Sequence, residues 1–153
     1  MTEVTLTWAE LELAAHVGVR RRLWSMREGR MERFHAESNA GWGDGWGRDI
    51  EGAAAEMAYA KARRQYWGGH VDTFREPDVA AVEIKHTVRD DGSLIVQPEE
   101  PDWTLLVLVT GRLPVLTIRG AMLAEYAKRP EWWRSNVPKP AFFVPQAALT
   151  VVT

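Results

Sequence analysis

The chain contains no cysteine. That excludes a disulfide framework, a thiolate metal site and any mechanism with a cysteine nucleophile. It also lacks an apolar run near the roughly 20 residues of a membrane span. No basic start followed by an apolar stretch marks a signal peptide, so the expectation is a cytoplasmic protein with no membrane partner. Charge of one sign is missing as well. The net charge is −2, so any binding to nucleic acid depends on a local patch rather than on the whole field of the molecule. There is no phosphate-binding Gly-Lys-Ser/Thr loop and no dinucleotide fingerprint. The serines at 25, 38, 93 and 135 have no nucleophile-elbow context. The four histidines, at 16, 35, 70 and 86, show no metal-ligand spacing.

What remains is an ordinary globular composition over 153 residues, 46% hydrophobic and 26% charged, enough for one domain with one core. The 8 tryptophans are many for this length and point to aromatic packing, an interface or both, and a homodimer is compatible with that count.

Thr7 followed by Glu10 forms a capping box, and the pattern after it predicts a helix over 8–26. Arg20, Arg21, Arg22 and Arg27 make this helix cationic, either as a solvated face or as a patch that contacts phosphates. The doubled Gly-Trp-Gly of residues 41–47 predicts a loop over 38–48, with Trp42 and Trp46 as aromatic plugs or as an arm on which bases stack. A second helix is expected over 49–64, rich in alanine and able to pack closely on a sheet. Within it Glu51 reads as an acid near the helix start. Glu56 reads either as an outward-facing residue or as part of a site.

Strands are expected at 70–74, 82–87, 93–97, 103–110 and 115–119, with a short helix over 121–128 and an extended tail at 141–145. Asp90-Asp91-Gly92 predicts a turn, and hence a hairpin joining 82–87 to 93–97. The order of elements reads as a single domain of α/β or α+β class.

Chemistry concentrates in the segment from Glu76 to Lys85. On a strand, Glu83 and Lys85 share one face while Val82 and Ile84 take the other. Phosphodiester hydrolysis needs an activated water and cancellation of charge on a crowded phosphate. Hard divalent ions such as Mg2+ or Mn2+ supply both and bind oxygen ligands. Asp78 and Glu83 offer two carboxylates, the Ile84 carbonyl a third oxygen, Lys85 a charge for the developing anion, and Glu56 a further acid. Asp78 and Glu83 are five residues apart, so they converge only if the backbone bends near 79–81. Pro77 favours such an irregularity, and Asp72 is the alternate acid. The competing reading of Glu83 and Lys85 is a pair of charges on the polar face of a sheet.

Glu56, Pro77-Asp78 and Glu83-Ile84-Lys85 together resemble the PD-(D/E)xK nuclease superfamily. Gly52-Ala53-Ala54-Ala55-Glu56-Met57-Ala58 looks like the helix that precedes such cores. The resemblance implies a restriction-endonuclease-like mixed central sheet flanked by helices over residues 1–153. It implies Asp78 and Glu83 as metal ligands, Lys85 as the catalytic lysine and Glu56 as the helix acid, with Mg2+ or Mn2+ as cofactor and DNA as partner. The 8–22 and 51–61 helices, Pro77-Asp78-Val79 and Phe143-Val144-Pro145-Gln146 also look like a group of small uncharacterised bacteriophage proteins. A phage-type deoxyribonuclease is therefore the expectation. The alternative is a catalytically inactive module of the same fold that binds nucleic acid or a protein partner.

Overall fold

The computed structural model describes residues 1–29, 42–71, 77–79 and 81–151, with 42–44 as backbone only. The chain forms three layers. A strand β1 (Thr2–Thr5) leads into helix α1 (Trp8–Arg27), and helix α2 (Trp42–Arg63) follows. Strands β2 (Val82–Thr87), β3 (Leu94–Val96), β4 (Leu105–Arg112) and β5 (Val115–Leu123) come next, then the single turn α3 (Ala124–Ala127), β6 (Trp133–Arg134) and β7 (Ala141–Val144). The main sheet has the order β1-β5-β4-β2, and β2 is its edge. It is mixed: β2 runs parallel to β4, while the β4–β5 and β1–β5 pairs are antiparallel. A second, antiparallel sheet has the order β3-β7-β6.

The pleat of β4 explains why three layers form. Its apolar run is buried on both faces, as a central strand requires. Val107 and Val109 pack toward α1 and α2, with Ala53, Ala54, Val82 and Ile84. Leu106 and Leu108 face the other way, toward Leu94, Val96 and Val144 of the second sheet and Ala124 of α3.

Helix α1 begins as the capping box predicts. The Thr7 hydroxyl accepts from the Glu10 N–H at 3.3 Å, and the Glu10 carboxylate accepts from the Thr7 N–H at 2.6 Å. Lys61 of α2 then donates to that carboxylate and to the Thr5 carbonyl, tying α1, α2 and β1 together. Further along α1, Ala14 and Gly18 are buried one turn apart. A Cβ on Gly18 would sit 2.5 Å from the Cα of Ile50, so the absence of a side chain is what lets the two helices approach. Gly18→Ala is expected to cost about 1–3 kcal/mol through overpacking. Denaturant titration checks this, and an unchanged midpoint would show that the helices do not meet here.

Several expectations are corrected. First, β2 and β3 do not form a hairpin. The turn itself is present, with the Gly92 N–H donating to the Arg89 carbonyl at 3.0 Å. It sends the chain into the second sheet, where Leu94 and Val96 are fully buried. Turn chemistry sets a reversal of direction, whereas pairing follows burial. Second, residues 42–48 are the start of α2 rather than part of a loop; residues 38–41 lie outside the described residues. Each helical glycine costs only about 1 kcal/mol relative to alanine, and a docking contact offsets that here. The Arg22 guanidinium lies against Gly45 and pairs with Asp49 at 2.8 Å, holding this turn on α1. Third, the helix expected over 121–128 is shorter because β5 continues to Leu123. Residues 70 and 71 are not in a strand, and 72–74, with the alternate acid Asp72, lie outside the described residues.

Candidate active site at the edge of the main sheet

The site is built on the edge of β2 that carries no further strand among the described residues. The backbone folds back tightly just before the strand. Val79 and Val82 exchange N–H···O bonds of 3.3 and 3.0 Å as an isolated antiparallel bridge. This is the bend that convergence of Asp78 and Glu83 requires. It lays Asp78 along the strand edge, where its carboxylate accepts the outward-pointing Ile84 N–H at 2.7 Å. An edge strand leaves such donors open, and the carboxylate closes one of them. The N–H and carbonyl of one strand residue point to the same side. The Ile84 carbonyl therefore faces the same edge as Asp78.

Asp78 is an unusual carboxyl. Burial, with the negative charges of Glu56 and Glu83 beside it, pushes its pKa up to about 7 from 3.8, against the opposing pull of the Ile84 N–H and Arg21. Three acids thus act on one small region. Above pH 7 the folded state must hold Asp78 charged and carries the full penalty. As pH falls through 7 the folded state takes up a proton that the unfolded chain takes up only near 3.8, so stability rises until about pH 4. Asp78→Asn keeps an acceptor for Ile84 and removes the penalty. It is expected to be more stable than the native chain at pH 8 by at least about 1.4 kcal/mol, the value of one pKa unit. The advantage should vanish near pH 4. Urea unfolding at several pH values checks it, and parallel pH profiles for the two proteins would refute it.

Lys85 lies on the same face of β2 as Glu83, as the alternation requires. Its ammonium donates to Glu83 at 3.2 Å and to Glu100 at 2.9 Å. Burial works against its charge, but these two acids more than offset that and hold its pKa above the usual lysine value. Glu100 comes from the connection between β3 and β4 and was not among the residues singled out from sequence. Its setting, Pro98-Glu99-Glu100-Pro101, marks an irregular acidic segment but not its target.

Glu56 does not point outward. It is 4% exposed, and both its oxygens are engaged. Arg21 donates to Oε1 at 2.5 Å and to Oε2 at 2.8 Å, and the Trp67 indole donates to Oε2 at 3.1 Å. Arg21 also donates through Nε to the His70 carbonyl at 2.9 Å. The arginine run therefore does not act as one patch. Successive helical residues are turned by about 100°, so Arg20 is exposed while Arg21 and Arg22 turn toward α2. Arg21 meets Glu56 and Arg22 meets Asp49. Arg27 is exposed and stacks over Trp24 at 5.4 Å. Trp46 is half-buried on α2, and the Trp42 side chain lies outside what is described.

Among the described residues, no group of three or more histidine, aspartate or glutamate side chains is placed to hold a metal ion. The oxygen donors along this edge are fewer. Mg2+ typically takes only one or two carboxylates and keeps several waters. Asp78, Glu83 and the Ile84 carbonyl are hard oxygen donors, and burial first, then the charges of Glu56 and Glu83, disfavours the charged form of Asp78. Glu56, with both oxygens already bonded, does not fit as a direct ligand.

A cleft of about 720 Å3 opens beside Lys85. It runs past the end of β2, between the first half of α2 and strands β3 and β7, and its walls include Arg48, Arg89, Ile95, Gln97 and Phe143. Among the described residues no helix is long and apolar enough to cross a membrane. Family models, curated proteins and solved structures were all compared with this chain, and none of them matches.

Proposed function

We propose that this protein is a divalent-metal-dependent phosphodiester hydrolase acting on DNA, with a restriction-endonuclease-like core of the PD-(D/E)xK type and a phage-type role. The observation that carries the reading is the fold-back at Val79–Val82. It lays the Asp78 carboxyl on the edge of β2, against the Ile84 N–H and in the charge field of Glu83. A mixed sheet with α2 packed on it, and a parallel β2–β4 pair, supports the same core.

In this reading Asp78 and Glu83 hold a Mg2+ or Mn2+ ion, with the Ile84 carbonyl on the same edge. Such an ion, when bound, lowers the pKa of a water and neutralises phosphate charge. Lys85 places an ammonium where negative charge grows on the phosphate oxygens, and Glu83 and Glu100 fix its direction. Glu56 stands behind Asp78 as the fixed end of the Arg21 pair. Exposed Arg20 and Arg27 on α1 supply phosphate contacts outside the centre. Incubating the pure protein with single-stranded, duplex and branched DNA and Mg2+ or Mn2+ tests this. Metal-dependent cleavage lost in Asp78→Asn is the expected result, and no cleavage of any form would overturn it.

One observation favours a second reading, a catalytically inactive module of the same fold that binds nucleic acid or a protein partner. The helix acid is fully engaged by Arg21 and Trp67, leaving two carboxylates for the ion. DNA binding that falls with salt, needs no metal and survives Asp78→Asn would support that module instead.

A further inference from the structure

We propose that Lys128 is a positioning residue for Lys85, which it holds in line by fixing Glu100 from behind. The inference rests on the proposed role of Lys85 in phosphodiester hydrolysis and adds to it a residue outside the cleft that governs that role.

A lysine ammonium is a point charge on a flexible four-carbon stem, so its partners set its position. Two acids hold Lys85, Glu83 at 3.2 Å and Glu100 at 2.9 Å. Glu83 is also a proposed ligand of the ion, which leaves Glu100 as the acid committed to the lysine. Yet Glu100 stands in the irregular segment 97–104 between β3 and β4, outside any helix or strand. Such an anchor is only as well placed as the loop that carries it.

That loop is tied down from both sides. The Glu100 N–H donates to the Gln97 carbonyl at 3.1 Å and closes a turn. From the other side, the Lys128 ammonium donates to the Glu100 carbonyl at 2.5 Å and to Asp102 Oδ1 at 2.7 Å, bridging the two residues. The Glu125 N–H, from α3, donates to the Asp102 carbonyl at 3.1 Å. Lys128 itself starts from a rigid base. Its N–H donates to the Ala124 carbonyl at 3.1 Å, and Ala124 and Ala127 are fully buried in the core cluster that holds Leu106 and Leu108. A line of contacts therefore runs from the core through Lys128 and Glu100 to the Lys85 ammonium. Lys85 lines the cleft, whereas Glu100 and Lys128 do not, so Lys128 acts through the other two and not on a ligand. Lys139 supplies the contrast. It reaches the same loop but pairs with Glu99, an exposed acid, and that pair does not include Glu100.

Two readouts test the proposal. In the protein alone, without DNA or metal, NMR detection of lysine ammonium groups should show a Lys85 signal in the native chain and in Lys139→Met. In Lys128→Met it should broaden or vanish, as a released ammonium exchanges its protons with water. In cleavage assays Lys128→Met is expected to lower kcat about tenfold with KM little changed. In a Glu100→Gln background the same change should cost almost nothing more, since the two residues act on one path. Circular dichroism verifies folding. Should Lys128→Met fail to fold, Asp102→Ala releases one of its two acceptors at an exposed side chain and should give the same effects to a smaller degree. An unchanged Lys85 signal in the folded variant would overturn the proposal. So would a loss of rate that Lys139→Met reproduces, or one that stays tenfold when Glu100 is already changed. No cleavage by the native chain, with a Lys85 signal that still depends on Lys128, would overturn the hydrolase reading and support the positioning.

Discussion

Arg21→Ala is expected to lower the stability of the folded chain by about 3–5 kcal/mol, the range seen when one partner of a buried ion pair is removed. For a domain of this size that is a fall of roughly 6–20 °C in Tm. The size of the loss follows from where Glu56 sits. Its side chain is 6% exposed, in a stretch of α2 made of buried alanines, and Arg21 supplies two of the three hydrogen bonds it accepts among the described residues. Without the guanidinium, a carboxylate stays buried beside Asp78, whose own pKa burial and the neighbouring acids already push up. The hydrogen bond from Arg21 to the His70 carbonyl is lost as well. Two controls separate this from a general effect of losing arginine. Arg20→Ala removes the neighbouring exposed residue and should shift stability by less than about 0.5 kcal/mol. Arg21→Met combined with Glu56→Leu removes both charges and should recover most of the loss. Thermal and urea unfolding of the set provide the comparison. Equal effects of Arg21→Ala and Arg20→Ala would show that the pair does not bear on folding.

Lys85→Ala is expected to slow DNA cleavage at saturating Mg2+ by about 10²–10³-fold, the usual effect of removing one donor aimed at developing charge. Lys85 is not needed for the core, since it is half-exposed at the cleft while Val82 and Ile84 carry the packing of β2. Its loss should therefore show in the rate and only weakly in stability. Lys85→Arg should restore little, because a planar guanidinium cannot take the position of a compact ammonium between Glu83 and Glu100. Glu100→Gln leaves the lysine in place but weakens its anchoring, so a smaller loss, on the order of tenfold, is expected. Single-turnover rates on one DNA substrate resolve these cases. Native-rate cleavage by Lys85→Ala would place the chemistry elsewhere.

How far sequence alone carried the account depends on the range of the interaction. The start of α1 was legible because a capping box is local: Thr7 and Glu10 satisfy each other within one turn. The strand expected at 103–110 and found at 105–112 was legible because burial on both faces demands an unbroken apolar run. The bend before β2 was legible as a requirement, from the parity of Asp78 and Glu83 and the presence of Pro77. Pairing was not legible. Asp90-Asp91-Gly92 makes its turn, but the strands on either side belong to different sheets, a choice made by Leu94 and Val96 against Leu106, Leu108 and Val144. Glycines at 43, 45 and 47 argued for a loop, and the docking of Arg22 on Gly45 and Asp49 outweighed their propensity. Within the candidate site, the types of residue were visible and their partners were not. Nothing local ties Arg21 to Glu56 across 35 positions, or Glu100 to Lys85 across 15. The helical angle between Arg20, Arg21 and Arg22 was the one available signal that these three arginines serve different ends.

The most direct measurement is a crystal structure of the protein soaked in Mn2+, with anomalous scattering used to locate the ion. One peak is expected at the edge of β2, bound by the carboxylates of Asp78 and Glu83 and lost in Asp78→Asn. A crystal saturated with Mn2+ that shows no peak between these two side chains would contradict it.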